Sequence, residues 1–214
     1  YQMHAPNWNQ LLNLGPARLL LDSVVKEQVG HLCDDLGFTD VRVWNVTALT
    51  AFRDERTRQL RLNFDKLDRA LDFLIDRGLR PYLVMIDKPD KLMVNNRIQR
   101  TQARRSDLFG NLAEYATFLN AFMVHLTHRY TQAAVNTWHF EYWYDLRQDF
   151  ATESVTFYQV FKAAYRIIKQ ETPAAQVGGP GVLLGFQDDA LVSFFEQWRG
   201  QAPKPDFLTV YSYQ

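Results

Sequence analysis

The spacing of apolar residues along the chain switches repeatedly between a period of 2 and a period of 3.6, the sign of strands alternating with helices. Leu11–Leu14 is a short apolar run ending at Gly15-Pro16. Val25, Val29, Leu32, Cys33 and Leu36 then recur at helical spacing, with Asp22 or Ser23 placed to cap the start and Gly37 where a left-handed C-terminal cap belongs. Val41–Trp44 reads as the strand that follows. A second unit repeats the arrangement: Asn63 caps a helix with the stripe Phe64, Leu67, Leu71, Leu74 and Ile75, Gly78 ends it, and Pro81–Ile86 is the next strand. Residues 87–105 read as a long loop rich in Lys, Arg, Asn and Gln, of the length that in compact domains carries function. Ser106 or Asp107 opens a long helix with Leu108, Leu112, Tyr115, Leu119, Phe122, Met123 and Leu126 inward. An aromatic strand, Thr137–Trp143, and a helix bearing Val155, Tyr158, Phe161, Tyr165 and Ile168 come next. A short strand at Gln176–Gly178 is turned by Gly179-Pro180-Gly181. A helix with Leu191, Phe194, Phe195 and Trp198 and a sixth strand, Phe207–Tyr211, complete the pattern.

Six strands joined through helices require right-handed crossovers, and hence a parallel sheet that is either doubly wound or closed. Leu14-Gly15-Pro16-Ala17 is not a Gly-rich phosphate turn, so a dinucleotide fold has little support. The expected class is α/β, a (β/α)8 TIM-type barrel of which about six βα units are present, with the rest expected beyond Gln214. Residues 1–214 read as one domain, and the start at Tyr1-Gln2-Met3-His4 reads as the interior of a longer multidomain chain. A sheet that ends at its sixth strand leaves a parallel edge that a second copy of the chain could cover, as a homodimer.

Composition narrows the function. Apolar residues make up 47% and charged residues 22%, an ordinary globular balance. Lys+Arg and Asp+Glu stand at 24 each, so no overall basic field exists to hold nucleic acid or an anionic membrane. The single cysteine, Cys33, excludes an intrachain disulfide and suits a reducing, cytoplasmic setting; its place on an apolar stripe marks it as a core residue. His125 and His128 stand three apart on a helix without a third ligand or an H-E-x-x-H, so neither a metal nor any other cofactor is expected.

Alternation along Thr137–Trp143 puts His139, Glu141, Trp143 and, beyond it, Asp145 on one face. A carboxylate buried there among aromatics needs a partner, for which Arg42 is suited. Asp145 either meets a ligand at the strand's C-terminal end or caps the following loop. Trp44, Trp143, Tyr144, Tyr211 and Tyr213 either stack on a sugar's apolar C–H face or pack the core. Arg97, Arg100, Arg104 and Arg105 read either as a solvated loop or as a contact to a neighbouring domain or to the DNA of an attached reader.

Two segments carry a family resemblance. Thr137-Trp138-His139-Phe140-Glu141-Tyr142-Trp143-Tyr144-Asp145-Leu146 resembles the fourth barrel strand of glycoside hydrolase family 39, W-x-F-E-x-W-N-E-P, whose second Glu is the acid/base. Val177-Gly178-Gly179-Pro180 is similar to that family's V-G-G-P fifth strand. Leu36-Gly37-Phe38, Val41-Arg42, Arg77-Gly78-Leu79-Arg80-Pro81, Pro205-Asp206-Phe207 and Tyr211-Ser212-Tyr213 agree in order along nearly the whole chain. Against the family pattern, Tyr144 replaces the Asn and Asp145 replaces the acid/base Glu. Trp44 replaces the His of R-x-H, Val84 a Glu and Tyr211 a His, and the family's seventh-strand nucleophile has no counterpart.

Retaining glycosidases need two carboxyl groups roughly 5–5.5 Å apart. An acid arm shorter by ~1.5 Å exceeds the positional tolerance of about 0.5 Å expected of such a site. The resemblance therefore implies no confident catalytic residue, and a ligand-binding mouth formed by Trp44, Asp87, Glu141, Trp143, Tyr144, Asp145 and Tyr211 at the C-terminal strand ends. Degenerate barrels of this family also form the C-terminal part of AraC-type transcription regulators, which the Asn13-x-Gly15 start and Leu36-Gly37-Phe38-x-x-Val41-Arg42-Val43-Trp44 resemble. That resemblance implies a non-catalytic carbohydrate-sensing or interaction domain, with a sugar ligand and with DNA reached only through an attached helix-turn-helix domain. The alternatives are a β-xylosidase-like glycoside hydrolase and a structural dimerisation or docking barrel.

Overall fold

The structure, a computed structural model, describes residues 10–85, 108–143, 147–150, 152–183 and 188–211; the side chains of 147–149, 182–183, 188–191 and 211 lie outside that description. Six parallel strands form one sheet: β1 (Leu11–Pro16), β2 (Asp40–Trp44), β5 (Arg80–Val84), β6 (His139–Glu141), β9 (Gln176–Leu183) and β10 (Leu208–Tyr211), in that spatial order. Helices α1 (Ser23–Leu36), α2 (Asp65–Asp76), α3 (Leu112–Tyr130), α5 (Phe157–Glu171) and α6 (Asp188–Trp198) lie between successive strands, with a short α4 (Gln132–Val135) after α3. This is the expected α/β order, a curled parallel sheet making part of a barrel.

Alternation decides which side chains face which layer. Val41 and Val43 of β2, Leu83 of β5, and Phe140 and Tyr142 of and after β6 are buried in the core shared with the helices. That core draws on Leu67, Ala70, Leu71 and Leu74 of α2, on Tyr115, Phe118, Leu119, Phe122, Met123 and Leu126 of α3, and on Val160, Phe161, Ala164 and Ile168 of α5. The intervening strand residues Arg42, Tyr82, His139 and Glu141 face the concave side of the sheet, where they contact one another. Among the described residues, no helix is long and apolar enough to cross a membrane.

Local chemistry explains the element ends. Asp22 accepts hydrogen bonds from the Val24 and Val25 amides, and Gly37 closes α1 in the left-handed conformation at φ 73°. Leu32 and Leu36 of the expected α1 stripe are nevertheless 38% and 40% exposed, because α1 turns mainly Val29, Gly30 and Cys33 inward. Asn63 accepts from the Asp65 amide just before α2. Helix α3 is capped by Asn111, whose side chain accepts from the Glu114 amide; Ser106 and Asp107, expected to open a long helix, lie outside the described residues together with the long loop at 87–105.

Three expectations of the local pattern are corrected. Two hairpins, β3 (Ala51–Arg53) with β4 (Leu60–Leu62) and β7 (Arg147–Asp149) with β8 (Ser154–Thr156), were not anticipated. Val155 belongs to β8, and α5 starts two residues later behind a capping box formed by Thr156 and Gln159. Gly179-Pro180-Gly181 does not turn the chain: β9 runs through it to Leu183, with a register shift against β10 between Thr209 and Val210.

Candidate functional site

The concave side of the sheet is held by a polar network built from strands that are not all neighbours. Arg42 on β2 reaches across β5 to Glu141 on β6, its Nε and Nη2 donating to Glu141 Oε2 at 2.7 and 2.6 Å. Both side chains are buried, that of Glu141 completely. Arg42 Nη1 donates to Asn13 Oδ1 of β1 at 3.0 Å. The other carboxylate oxygen, Glu141 Oε1, accepts from Trp143 Nε1 at 3.1 Å and from the Thr209 hydroxyl of β10 at 2.7 Å. One carboxylate thus ties β2, β6 and β10 together across the intervening strands. Because its charge is matched by Arg42 and both its oxygens accept from donors among the described residues, burial is offset by pairing.

Three aromatic rings surround the Arg42 guanidinium: Tyr82, Trp44 and Trp143, with centroids 5.7, 5.9 and 5.9 Å from its central carbon. Burial and the negative charge of Glu141 push the Tyr82 phenol well above the ordinary tyrosine range. Lower in the sheet, His139 stacks on Tyr82 at 5.1 Å, with Phe207 edge-on at 5.4 Å. Burial lowers its pKa and favours the neutral imidazole. Glycine shapes the opposite wall. A Cβ on Gly181 would lie 2.6 Å from the Trp143 indole, so only glycine lets β9 approach that ring.

Among the residues expected to line the mouth, the structure brings Trp44, Glu141 and Trp143 together around Arg42. Trp44 and Trp143, each half-buried, stand at or just past the C-terminal ends of β2 and β6, the end at which barrel active sites form. Glu141 sits beneath them as a satisfied interior carboxylate paired with Arg42. Tyr211 ends β10; Asp87, Tyr144 and Asp145 lie outside the described residues. Asn13, Tyr82 and Thr209 belong to the network but were missed. Their only signal in the sequence is a polar atom at an inward position of an otherwise apolar strand.

His125 is engaged between the helices: its Nε2 is 2.7 Å from Asp68 Oδ1 and its ring stacks on Phe64 at 4.1 Å. Among the described residues no three His, Cys, Asp or Glu side chains are placed to hold an ion.

Comparison with known proteins agrees with this architecture. The sequence profile of "Glycosyl hydrolases family 39" matches residues 2–213. A β-xylosidase of Caldicellulosiruptor saccharolyticus is 24% identical over 195 residues, 88% of this chain and 39% of that protein. Among solved structures, the GH39 enzyme of Xanthomonas axonopodis pv. citri superposes with a TM-score of 0.68 at 20% identity, over 95% of this chain and 40% of that one. A monomeric β-xylosidase of Caulobacter crescentus CB15 does so with a TM-score of 0.68 at 22% identity, over 96% and 42%. The chain spans about two fifths of the length of these relatives.

These matches overturn the expectation of a non-catalytic sensing domain from an AraC-type regulator. That expectation gave the replacements at Trp44, Val84, Tyr144, Asp145 and Tyr211 more weight than the unbroken order of the matching segments. The profile that spans the chain is that of hydrolases, and the relatives are enzymes. The chain belongs to glycosyl hydrolase family 39.

Proposed function

We propose that this chain supplies six strands of the catalytic barrel of a glycoside hydrolase acting on β-xyloside-type substrates. The observation that carries the reading is the family match over residues 2–213, on a sheet whose C-terminal end presents two half-buried indoles above a closed polar network. Trp44 and Trp143 offer flat apolar surface to the C–H face of a pyranose ring. Asp145 stands where the family carries its acid/base Glu and is assigned proton donation to the glycosidic oxygen of the leaving group. The family's nucleophile lies on a seventh strand, outside the six described. A carboxylate there would attack the anomeric carbon, and water assisted by Asp145 would release the sugar in the second step. Glu141 is not used for proton transfer, since Arg42, Trp143 and Thr209 already occupy both its oxygens.

The test is hydrolysis of p-nitrophenyl β-D-xyloside by the full-length protein beside its Asp145→Ala variant. Turnover that falls by about 10²–10⁴-fold in the variant supports the assignment. Absence of turnover above that variant, across a panel of aryl glycosides, overturns it.

A further inference from the structure

We propose that Glu141 is a positioning residue: through the indole N–H of Trp143 it fixes the ring on which the sugar of the substrate rests. This rests on the hydrolase reading above. The Trp143 ring is restrained on three sides. Its Nε1–H donates to Glu141 Oε1 at 3.1 Å, the Arg42 guanidinium lies 5.9 Å from its centroid, and β9 closes on it at Gly181, where a Cβ would stand 2.6 Å from both Cδ1 and Nε1. The carboxylate doing the holding cannot swing, because Arg42 grips Oε2 through two nitrogens and Thr209 donates to Oε1 at 2.7 Å. Arg42 is itself tied to Asn13 at 3.0 Å. An aromatic ring alone would rotate about χ2 in a part-open mouth. A ring held by its one polar atom to a carboxylate locked at both oxygens presents one orientation, so a pyranose stacking on it loses less freedom on binding. The expected signature is on substrate binding, with the proton-transfer chemistry untouched.

The experiment compares Glu141→Gln, Thr209→Val, Trp143→Phe and the pairwise combinations in the full-length protein, with p-nitrophenyl β-D-xyloside as substrate. Trp143→Phe keeps a ring and removes the N–H. It is expected to raise KM by about tenfold, the scale of one hydrogen bond to a charged group, with kcat changed less than threefold. Glu141→Gln is expected to do the same while leaving the acid and basic limbs of the kcat/KM pH profile in place. Thr209→Val, which spares the ion pair and the fold, is expected to raise KM two- to threefold. Combined with Trp143→Phe, either substitution adds nothing further, because both act through the bond already lost. Additive KM effects, or a Glu141→Gln variant whose kcat collapses with a displaced pH limb, overturn the proposal. If the unmodified protein turns over no glycoside, the hydrolase reading fails separately. Xylobiose titration followed by tryptophan fluorescence then decides: equal weakening in Trp143→Phe and Glu141→Gln sustains the positioning role, and unchanged or undetectable binding overturns it.

Discussion

At the scale of single residues, Glu141 shows how an unfavourable group becomes structural. Its side chain is fully buried, and what keeps it there is the charge of Arg42 together with the donors that Arg42, Trp143 and Thr209 bring to its two oxygens. Removing one member leaves the other charge stranded, which costs more than the pair contributes. Glu141→Ala is therefore expected to lower unfolding stability by about 3–5 kcal/mol, read from urea midpoints at pH 7. A double variant replacing Arg42 and Glu141 with apolar residues of similar volume should recover most of that loss. The Arg42 partnership was legible in the sequence, because a carboxylate on a buried strand requires a cation and Arg42 stood on the matching face of another strand. Thr209 and Asn13 were not legible. Their roles depend on sheet curvature that brings β10 and β1 within reach, and alternation along one strand carries no information about curvature.

At the scale of elements, helices were read well and the segments between them poorly. Asp22 and Gly37 bound α1 as their side-chain and backbone chemistry dictates. The hairpins β3–β4 and β7–β8 escaped because each strand is only three residues long, too short for a period of 2 to register. Gly179-Pro180-Gly181 has turn composition, yet its glycines serve close approach: a Cβ on Gly179 would overlap the Tyr142 carbonyl oxygen. A charged seam beside Phe64 and His125 links α2 and α3. Arg129 donates to both oxygens of Asp72, at 3.1 Å to Oδ1 and 2.6 Å to Oδ2, and the Tyr130 hydroxyl donates to Oδ1 at 2.8 Å. The Arg129 hydrogen bonds hold the Asp72 carboxyl below the usual carboxylate range, with Tyr130 adding to the effect. A folded-state value lowered in this way contributes stability above the unfolded value of about 3.9 and loses it as pH falls through the folded value. Asp72 is part-exposed, so the effect is modest. The expected result is that Asp72→Asn narrows the gap between melting temperatures measured at pH 7 and pH 3.

At the scale of the whole molecule, six parallel strands in barrel order and the polar network beneath their C-terminal ends divide the labour between a frame and a mouth. The frame was readable because it repeats: strand, helix and glycine recur at regular distances, and the family segments match in order. The mouth was not, because Asp87, Tyr144 and Asp145 sit where the repeat stops, and the sequence gives only their identity. One consequence can be measured. Asp145→Glu restores an arm longer by ~1.5 Å and is expected to raise kcat/KM on aryl β-xylosides by between tenfold and about a hundredfold, the scale of a 1 Å correction in placement. Its urea midpoint should stay within the scatter of the unmodified protein, since the change keeps the carboxylate and both charges of the Arg42–Glu141 pair.

The closure of that network bears on the history of the protein as well as on its physics. Arg42 and Glu141 meet each other's charge inside the sheet, from strands β2 and β6, so the cost of burying that charge is offset within the frame. A replacement such as Tyr144 for Asn alters the mouth without removing either charge of that pair. What the mouth accepts can therefore vary by descent while the strut, and with it the curl of the sheet, stays the same.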